Sequence, residues 1–211
     1  MDIIKEPSKI EEKSMSIIEG HLHGLSFTHR EKQVVKRVIH ATGDPSYGGI
    51  MVFSPQGVEK AVNYFMQSRN VITDVEMVRV GINKNLLSSL GGTAECYIHH
   101  PEVQKGAAEE KITRASYAVQ WAKEKINGNI VAIGNAPTAL FTLLDMIEKK
   151  EIEPAFIIGV PVGFVGSAEA KEALEAQGDV PFITVKGVKG GSPVAVSITN
   201  ALLKLAAEKK L

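Results

Sequence analysis

The sequence has little cysteine, few aromatic residues and no excess of either charge. Of its 211 residues, only Cys96 is a cysteine and 6% are aromatic. One cysteine cannot form an internal disulfide or a Cys-based metal cage, so the composition fits a reducing cytoplasm. The 24 Lys and Arg residues balance the 24 Asp and Glu residues. Such a chain has no net field that attracts nucleic acid or an anionic membrane surface, and we expect neither as a partner.

Long apolar runs are also missing. A membrane-spanning helix needs roughly 20 consecutive apolar residues, and no segment approaches that length. Residues 1–7 do not form the apolar stretch of a signal peptide, so we expect a cytoplasmic protein. The chain length is usual for one domain, and no repeat or long linker divides it. We therefore expect residues 1–211 to form a single domain.

The first part of the sequence contains two helical patterns. Apolar residues recur near helical spacing across residues 10–25, which predicts an amphipathic helix beginning just after Pro7. Thr28 followed by Glu31 is a capping box, in which each side chain accepts a hydrogen bond from a free N–H at a helix start. The apolar stripe after it predicts a helix that ends near residues 41–45.

Beyond these helices, short apolar runs alternate with helical patterns. This alternation is typical of crossover units, so we predict the α/β class, with a single doubly wound domain and a mainly parallel sheet. Ser54 and Pro55 are expected to open one helix, and Thr113 to cap another. The candidate strands are residues 50–53, 71–74, 94–98, 130–133, 155–160 and 182–185.

Three loops that follow predicted strands are rich in glycine: residues 134–138, 159–166 and 187–192. In a doubly wound sheet, ligands bind at the carboxyl ends of the strands, where such loops open into helix N-termini. Glycine allows close approach, and free N–H groups favour phosphate or carboxylate. Any one such loop is more often an ordinary strand-to-helix turn, but three in one chain favour a large polar ligand. Their spacing matches neither the dinucleotide nor the P-loop fingerprint.

His40 is the candidate acid. It lies at the end of a predicted helix, before a loop that contains glycine, where an imidazole can face a cleft and titrate near neutral pH. The alternative is a helix-terminal histidine stabilised by nearby carbonyls. Arg37 and Arg114 can likewise be solvated helix charges. The other histidines lack Cys partners and a His-Glu-x-x-His pattern, so we expect no metal site.

Several strings together resemble the precorrin-8X methylmutase family, also called cobalt-precorrin-8 methylmutase, over nearly the whole chain. The most specific are His-Ala-Thr-Gly-Asp at residues 40–44 and Gly-Asn-Ala-Pro-Thr-Ala-Leu at residues 134–140. Family members often have an arginine where this chain has Val188. The resemblance is also carried by Pro7, 14–18, 30–31, 37–39, Asp74, 77–78, 81–82, 113–114, 132–133, 159–165 and 190–192.

The resemblance implies an isomerase that moves a methyl group from carbon eleven to carbon twelve of a tetrapyrrole and yields a corrin. It implies His40 as proton donor, a homodimer with active sites near the subunit interface, and no cofactor, because no electrons leave the substrate. Substrate binding is assigned to hydroxyl, amide or cationic donors in matching segments or beside glycine turns. These donors are Ser14, Arg37, Thr42, Thr93, Arg114, Asn135, Thr138 and Ser192.

Two other functions fit the same pattern. A tetrapyrrole carrier without enzymatic activity would need the same pocket. A nucleotide-sugar or phosphosugar enzyme on a Rossmann-like sheet would use the same loops, although the missing nucleotide fingerprints weaken that alternative. Turnover of a tetrapyrrole substrate separates the isomerase from both.

Overall fold

The core of the fold is a six-stranded sheet, seen in a computed structural model that describes residues 5–210. The order across the sheet is β1-β6-β5-β4-β2-β3, and every neighbouring pair is parallel except β1 with β6. The predicted α/β class and mainly parallel sheet are confirmed, and all predicted strands form. The strands are β1 (Met51–Phe53), β2 (Val71–Thr73), β3 (Ala94–Cys96), β4 (Ile130–Ile133), β5 (Phe156–Gly159) and β6 (Phe182–Val185).

Helices fill most of the chain between and around these strands. The helices that follow Pro137, Ser167 and Ser192 lead away from the carboxyl ends of β4, β5 and β6. The full set is α1 (Pro7–His21), α2 (His29–Thr42), α3 (Tyr47–Ile50), α4 (Gly57–Met66), α5 (Glu76–Gly81), α6 (Lys84–Ser89), α7 (Pro101–Glu110), α8 (Arg114–Trp121), α9 (Lys123–Ile126), α10 (Pro137–Glu148), α11 (Ser167–Ala176) and α12 (Ser192–Lys210).

Alternate residues of each strand face opposite sides of the sheet, which gives two apolar clusters. On one side, Ile130 and Ala132 of β4 pack with residues of α2, α4 and α12. On the other side, Val131 and Ile133 pack with residues of α8, α10 and α11. Helices therefore cover both faces of a sheet whose four central strands, β2, β4, β5 and β6, are buried throughout, as a doubly wound fold requires.

Of the three helix starts predicted from capping residues, those at Thr28 and Thr113 are confirmed and the one at Ser54 is not. Thr28 Oγ1 accepts from the Glu31 N–H at 3.2 Å, and Glu31 accepts from the Thr28 N–H at 2.8 Å. The prediction that Ser54 opens a helix is wrong, because α4 begins only at Gly57. Ser54 Oγ instead accepts from the Phe182 N–H at 2.8 Å. This hydroxyl therefore joins the end of β1 to β6.

Candidate functional site

Most of the predicted site residues lie at the carboxyl edge of the parallel strands. α10 and α12 begin there, because they follow β4 and β6. Thr113, which caps α8, is hydrogen-bonded to Thr138 of α10, so α8 begins there as well. The end of α2 reaches the same edge through a contact between Asp44 and Lys189, which follows β6. This edge is the candidate active site, as expected for a doubly wound fold.

His40 is held on one side by a hydroxyl group. Its Nδ1 lies 2.8 Å from Ser14 Oγ of α1, although the two residues are 26 positions apart. The imidazole is exposed, and Nε2 has no hydrogen-bond partner within residues 5–210. The contact brings two predicted site residues together and leaves one ring nitrogen open to a ligand. Helical spacing alone gave no sign of this pairing.

The other two predicted residues of α2 are already engaged within the chain. Arg37 donates to the Glu11 carboxylate of α1, and this hydrogen bond and charge lower the pKa of Glu11. Thr42 Oγ1 donates to the Val38 carbonyl at 2.8 Å and accepts from the Asp44 N–H at 3.3 Å. A ligand carboxylate at Arg37 would therefore share the guanidinium with Glu11.

The expectation that the 134–138 loop offers free N–H groups is wrong for its first part. The Asp74 carboxylate, just after β2, accepts from Gly134 N–H at 3.0 Å and from Asn135 and Ala136 N–H at 2.8 Å each. Asp74 is only 4% exposed, and this burial raises its pKa against the opposing effect of the three hydrogen bonds. A side chain of the protein therefore occupies the position expected for a ligand carboxylate.

Three predicted donors remain available around this loop. Asn135 and Thr138 are exposed, and Arg114 is exposed at the first turn of α8. Thr138 Oγ1 lies 2.7 Å from Thr113 Oγ1, which ties the starts of α10 and α8 together. The structure thus places these three polar side chains at the adjacent N-termini of two helices. Both N-termini favour negative charge through their free N–H groups.

The other two glycine-rich loops are bonded to each other. Gly163 N–H donates to the Val188 carbonyl at 3.1 Å, and Gly191 N–H donates to the Val160 carbonyl at 2.9 Å. These bonds use N–H groups that the sequence pattern left for a ligand. Ser192, buried at the start of α12, is close to the 134–138 loop, since a Cβ on Gly134 would lie 2.9 Å from its Cα. The three loops therefore form one continuous surface.

Two lysines of this surface were missed by the sequence analysis. Lys189 Nζ donates to Asp44 Oδ2 at 2.5 Å and to Ser46 Oγ at 2.7 Å. Lys171 of α11 is 1% exposed, and its Nζ donates to the Lys189 carbonyl at 2.6 Å. Burial lowers the pKa of Lys171 to about 8. For Lys189, the sequence did contain a signal, because this lysine lies between the glycines of the last loop.

Thr93 is not brought together with the other candidates. It immediately precedes β3, where its Oγ1 donates to Asn70 Oδ1 at 3.0 Å, and Asn70 precedes β2. Thr93 therefore lies at the amino edge of the parallel strands, opposite the candidate site of the same chain. A groove of about 820 Å³ at that edge is lined by residues such as Asn127 and Pro181 and by none of the predicted site residues.

Residues 5–210 contain neither a metal-binding cluster nor a membrane-spanning helix. No group of three or more His, Cys, Asp or Glu side chains is arranged to hold a metal ion in this part of the chain. In the same range, no helix combines the length and the apolar character that crossing a membrane requires.

The sequence and the fold agree with those of known proteins. The family model described as precorrin-8X methylmutase matches residues 9–205. The chain belongs to the precorrin-8X methylmutase family. A cobalt-precorrin-8 methylmutase of Methanocaldococcus jannaschii is 37% identical over 99% of this chain and 98% of the relative. One of Priestia megaterium is 41% identical over 95% and 89%. The solved precorrin-8X methylmutase of Thermus thermophilus has a TM-score of 0.87 at 36% identity, covering 96% of this chain and 99% of that one.

The two most specific strings of this methylmutase-family chain lie at the carboxyl edge. Residues 40–44 form the end of α2 and its exit, where Gly43 adopts the left-handed conformation that ends the helix. Residues 134–140 connect β4 to α10. At the departure from the family pattern, Val188 has an exposed side chain and a carbonyl that accepts from Gly163. The family is one of isomerases, and the chain is therefore an isomerase.

Proposed function

We propose that this protein moves a methyl group from carbon eleven to carbon twelve of ring C in precorrin-8X or cobalt-precorrin-8. The product is hydrogenobyrinic acid or, with cobalt present, cobyrinic acid. One observation carries the proposal beyond family membership: the exposed His40 ring is bound at Nδ1 by Ser14 and is open at Nε2 within residues 5–210. A ring fixed on one side and open on the other suits proton transfer to a bound ligand.

Two of the three protonation states that the Ser14 contact allows place a proton on Nε2 of His40. If the Ser14 hydroxyl donates to Nδ1, a neutral His40 carries its only ring proton on Nε2. If His40 is an imidazolium, Nδ1 donates to Ser14 and Nε2 again carries a proton. In both states Nε2 is the donor that the contact with Ser14 leaves open. Ser14 is therefore a positioning residue in the proposed mechanism.

The reaction needs a proton but no oxidant or reductant. The bond from the methyl group to carbon eleven breaks while the bond to carbon twelve forms, so no electrons leave the substrate. A proton shared with the conjugated ring nitrogens makes the system electron-poor and lowers the barrier to migration. This is general-acid catalysis of a rearrangement, and His40 is the proposed acid.

Substrate carboxylates require donors around the ring. We propose Arg114, Asn135, Thr138 and Ser192 as one binding group, because the starts of α8, α10 and α12 meet at this edge. Acetate and propionate side chains would accept charge-assisted hydrogen bonds from such donors. Ser14, Arg37 and Thr42 form the proposed group on α1 and α2. Within one chain, Thr93 lies apart from both groups. This position argues against a role for Thr93 in the same pocket.

We also propose that the working unit is a cytoplasmic homodimer of single-domain chains. A broad tetrapyrrole needs a larger binding surface than the edge of one sheet provides. Phe164 and Val165, adjacent in the loop after β5, are 92% and 89% exposed, and neighbouring apolar side chains this open fit a surface that contacts a second chain. The family match from residue 9 to 205 and the shared sheet support one domain. Light scattering should give twice the chain mass, and a fully active monomer would refute the dimer.

The test of function is turnover. Purified protein mixed with precorrin-8X, and separately with cobalt-precorrin-8, should convert each accepted substrate catalytically, as followed by the absorption spectrum. An isomerase converts many equivalents, whereas a carrier changes the spectrum only up to one equivalent per site. Conversion of neither substrate by a correctly folded protein would overturn the proposal. A comparison of turnover with the two substrates shows whether the substrate must contain cobalt.

A further inference from the structure

Lys189 joins two distant segments of the candidate site. It lies in the 187–191 loop between β6 and α12, and its ammonium reaches the turn after α2. Nζ donates to Asp44 at 2.5 Å and to Ser46 at 2.7 Å, across 145 and 143 positions of sequence. The same ammonium lies 5.8 Å from the centre of the Tyr47 ring. One side chain thus bonds the segment that follows His40 to the segment that precedes Ser192.

Two further contacts hold the same loop through its backbone. The buried Lys171 donates to the Lys189 carbonyl at 2.6 Å. The Tyr47 hydroxyl donates to the Gly190 carbonyl at 3.4 Å. The loop is therefore bound from α11 on one side and from residues 44–47, which follow α2, on the other. Lys189 takes part in both attachments, with its carbonyl in the first and its ammonium in the second.

The loop has a backbone that needs such attachments. Gly187, Gly190 and Gly191 have positive φ angles of 72°, 152° and 117°. Glycine loses more conformational freedom on ordering than any other residue, so a loop with three glycines is costly to hold in one conformation. Any part of this cost that is not met in the free protein must be met when a ligand binds.

We infer that Lys189 is a positioning residue, which fastens the loop leading into Ser192 to the end of the helix that carries His40. The inference rests on the proposed function, since it assigns Lys189 a role in the same site. The attachment keeps the two sides of the site in a fixed relation before the substrate arrives. Lys189 then lowers the ordering cost of binding without touching the reacting atoms.

Direct binding is the alternative role for Lys189. Its side chain is 46% exposed, and an ammonium at this edge is chemically suited to a substrate carboxylate. The two roles give opposite predictions for Asp44→Asn. If Lys189 acts through Asp44, this change weakens the attachment and raises KM. If Lys189 binds substrate directly, the change releases the ammonium, and KM stays the same or falls.

The experiment compares Lys189→Met, Lys189→Arg, Asp44→Asn and the double variant Asp44→Asn/Lys189→Met with the wild-type protein. We expect Lys189→Met to raise KM by roughly three- to tenfold, with kcat within about twofold, and Lys189→Arg to restore most of the affinity. The double variant should be no worse than Lys189→Met alone. Lys186→Met is the matched control, because Lys186 forms no side-chain hydrogen bond within residues 5–210.

Amide hydrogen exchange gives a readout that does not depend on turnover. The Gly191 N–H, bonded to Val160 at 2.9 Å, should exchange faster in Lys189→Met than in the wild-type and Lys186→Met proteins. Unchanged exchange at Gly191, or a KM in Asp44→Asn that is unchanged or lower, would overturn the inference. A wild-type protein without isomerase activity would overturn the proposed function instead, and the exchange data would still decide whether Lys189 fastens the loop.

Discussion

The two sides of the candidate site hold their charges in different ways. On the side of α1 and α2, charged side chains pair with each other near solvent, as Arg37 does with Glu11. On the side of the strand loops, the buried charges are bonded to backbone groups. Asp74 accepts three N–H bonds, and Lys171 donates to one carbonyl. Neither forms a salt bridge within residues 5–210.

The pKa values follow this difference. Hydrogen bonds from Lys32 and Lys36 lower the pKa of Glu19 to about 2, so the exposed pairing favours the charged form. Burial acts in the opposite direction: it raises the pKa of Asp74 and lowers that of Lys171 to about 8. Exposed pairs contribute little net stability, whereas buried charges are costly unless their hydrogen bonds are complete. The loop side therefore depends on buried charges for its shape, whereas the α2 side, where we propose that the chemistry occurs, keeps its charges near solvent.

The largest effect is expected from His40→Ala. If the α2 side serves chemistry, this change should lower the single-turnover rate by roughly 10²- to 10⁴-fold, because a positioned general acid is lost. The thermal midpoint and tetrapyrrole affinity should remain close to those of the wild-type protein, since the ring is exposed. All three are measured on one preparation. A destabilised variant with a normal rate would instead show that His40 only stabilises the end of its helix.

Asp74→Ala tests the other side of the comparison. Removal of the carboxylate leaves three N–H groups of the 134–136 segment without their acceptor. Each of these groups that water does not reach costs about 1–3 kcal/mol of stability. We expect the free energy of unfolding to fall by at least about 3 kcal/mol in urea titrations. Asp74→Asn is the matched control, because its amide oxygen can still accept some of these bonds and its loss should be smaller. Equal stability of all three proteins would contradict a structural role for Asp74.

Arg114→Ala asks whether the loop side also binds substrate. The exposed guanidinium at the start of α8 should lose a charge-assisted bond to a carboxylate, worth about 1.5–3 kcal/mol of binding. Titration with a corrin product should show this loss without a change in the unfolding midpoint. Arg30→Ala is the control, because Arg30 lies at the start of α2, at the opposite end from His40. This variant should bind the corrin product with wild-type affinity. Unchanged affinity of the Arg114 variant would remove this residue from the site.

The sequence predicted the elements but not the long-range pairings that decide the site. Periodicity and capping predicted all six strands and the helix start at Thr28, because these depend on neighbouring residues. The N–H groups of the 134–138 loop were predicted to be free, but Asp74, some 60 positions away, occupies three of them. The Ser14–His40 and Asp44–Lys189 contacts likewise need the folded arrangement of α1, α2 and the last loop.

The smallest effect is expected from Lys171→Met, and it appears as a dependence on pH. Burial lowers the pKa of Lys171 to about 8 from an ordinary 10.5, so the folded protein disfavours the charged form. Between these two values, the unfolded chain holds more protons than the folded one at this residue. Stability from this residue therefore rises as pH increases from about 8 to 10.5.

The Lys171→Met variant lacks this rise in stability at high pH. It also loses the hydrogen bond to the Lys189 carbonyl. We expect its unfolding free energy, relative to the wild-type protein, to decline by about 1 kcal/mol from pH 7.5 to pH 10.5, because the hydrogen bond to the Lys189 carbonyl favours the ammonium and offsets part of the effect of burial. Lys186 has an exposed side chain in the same region. The Lys186→Met variant should therefore differ from the wild-type protein by a constant unfolding free energy over this pH range. Parallel curves for the wild-type and Lys171→Met proteins would show that the Lys171 ammonium reaches solvent. Asp74 would then be the one buried charge that distinguishes the loop side from the α2 side.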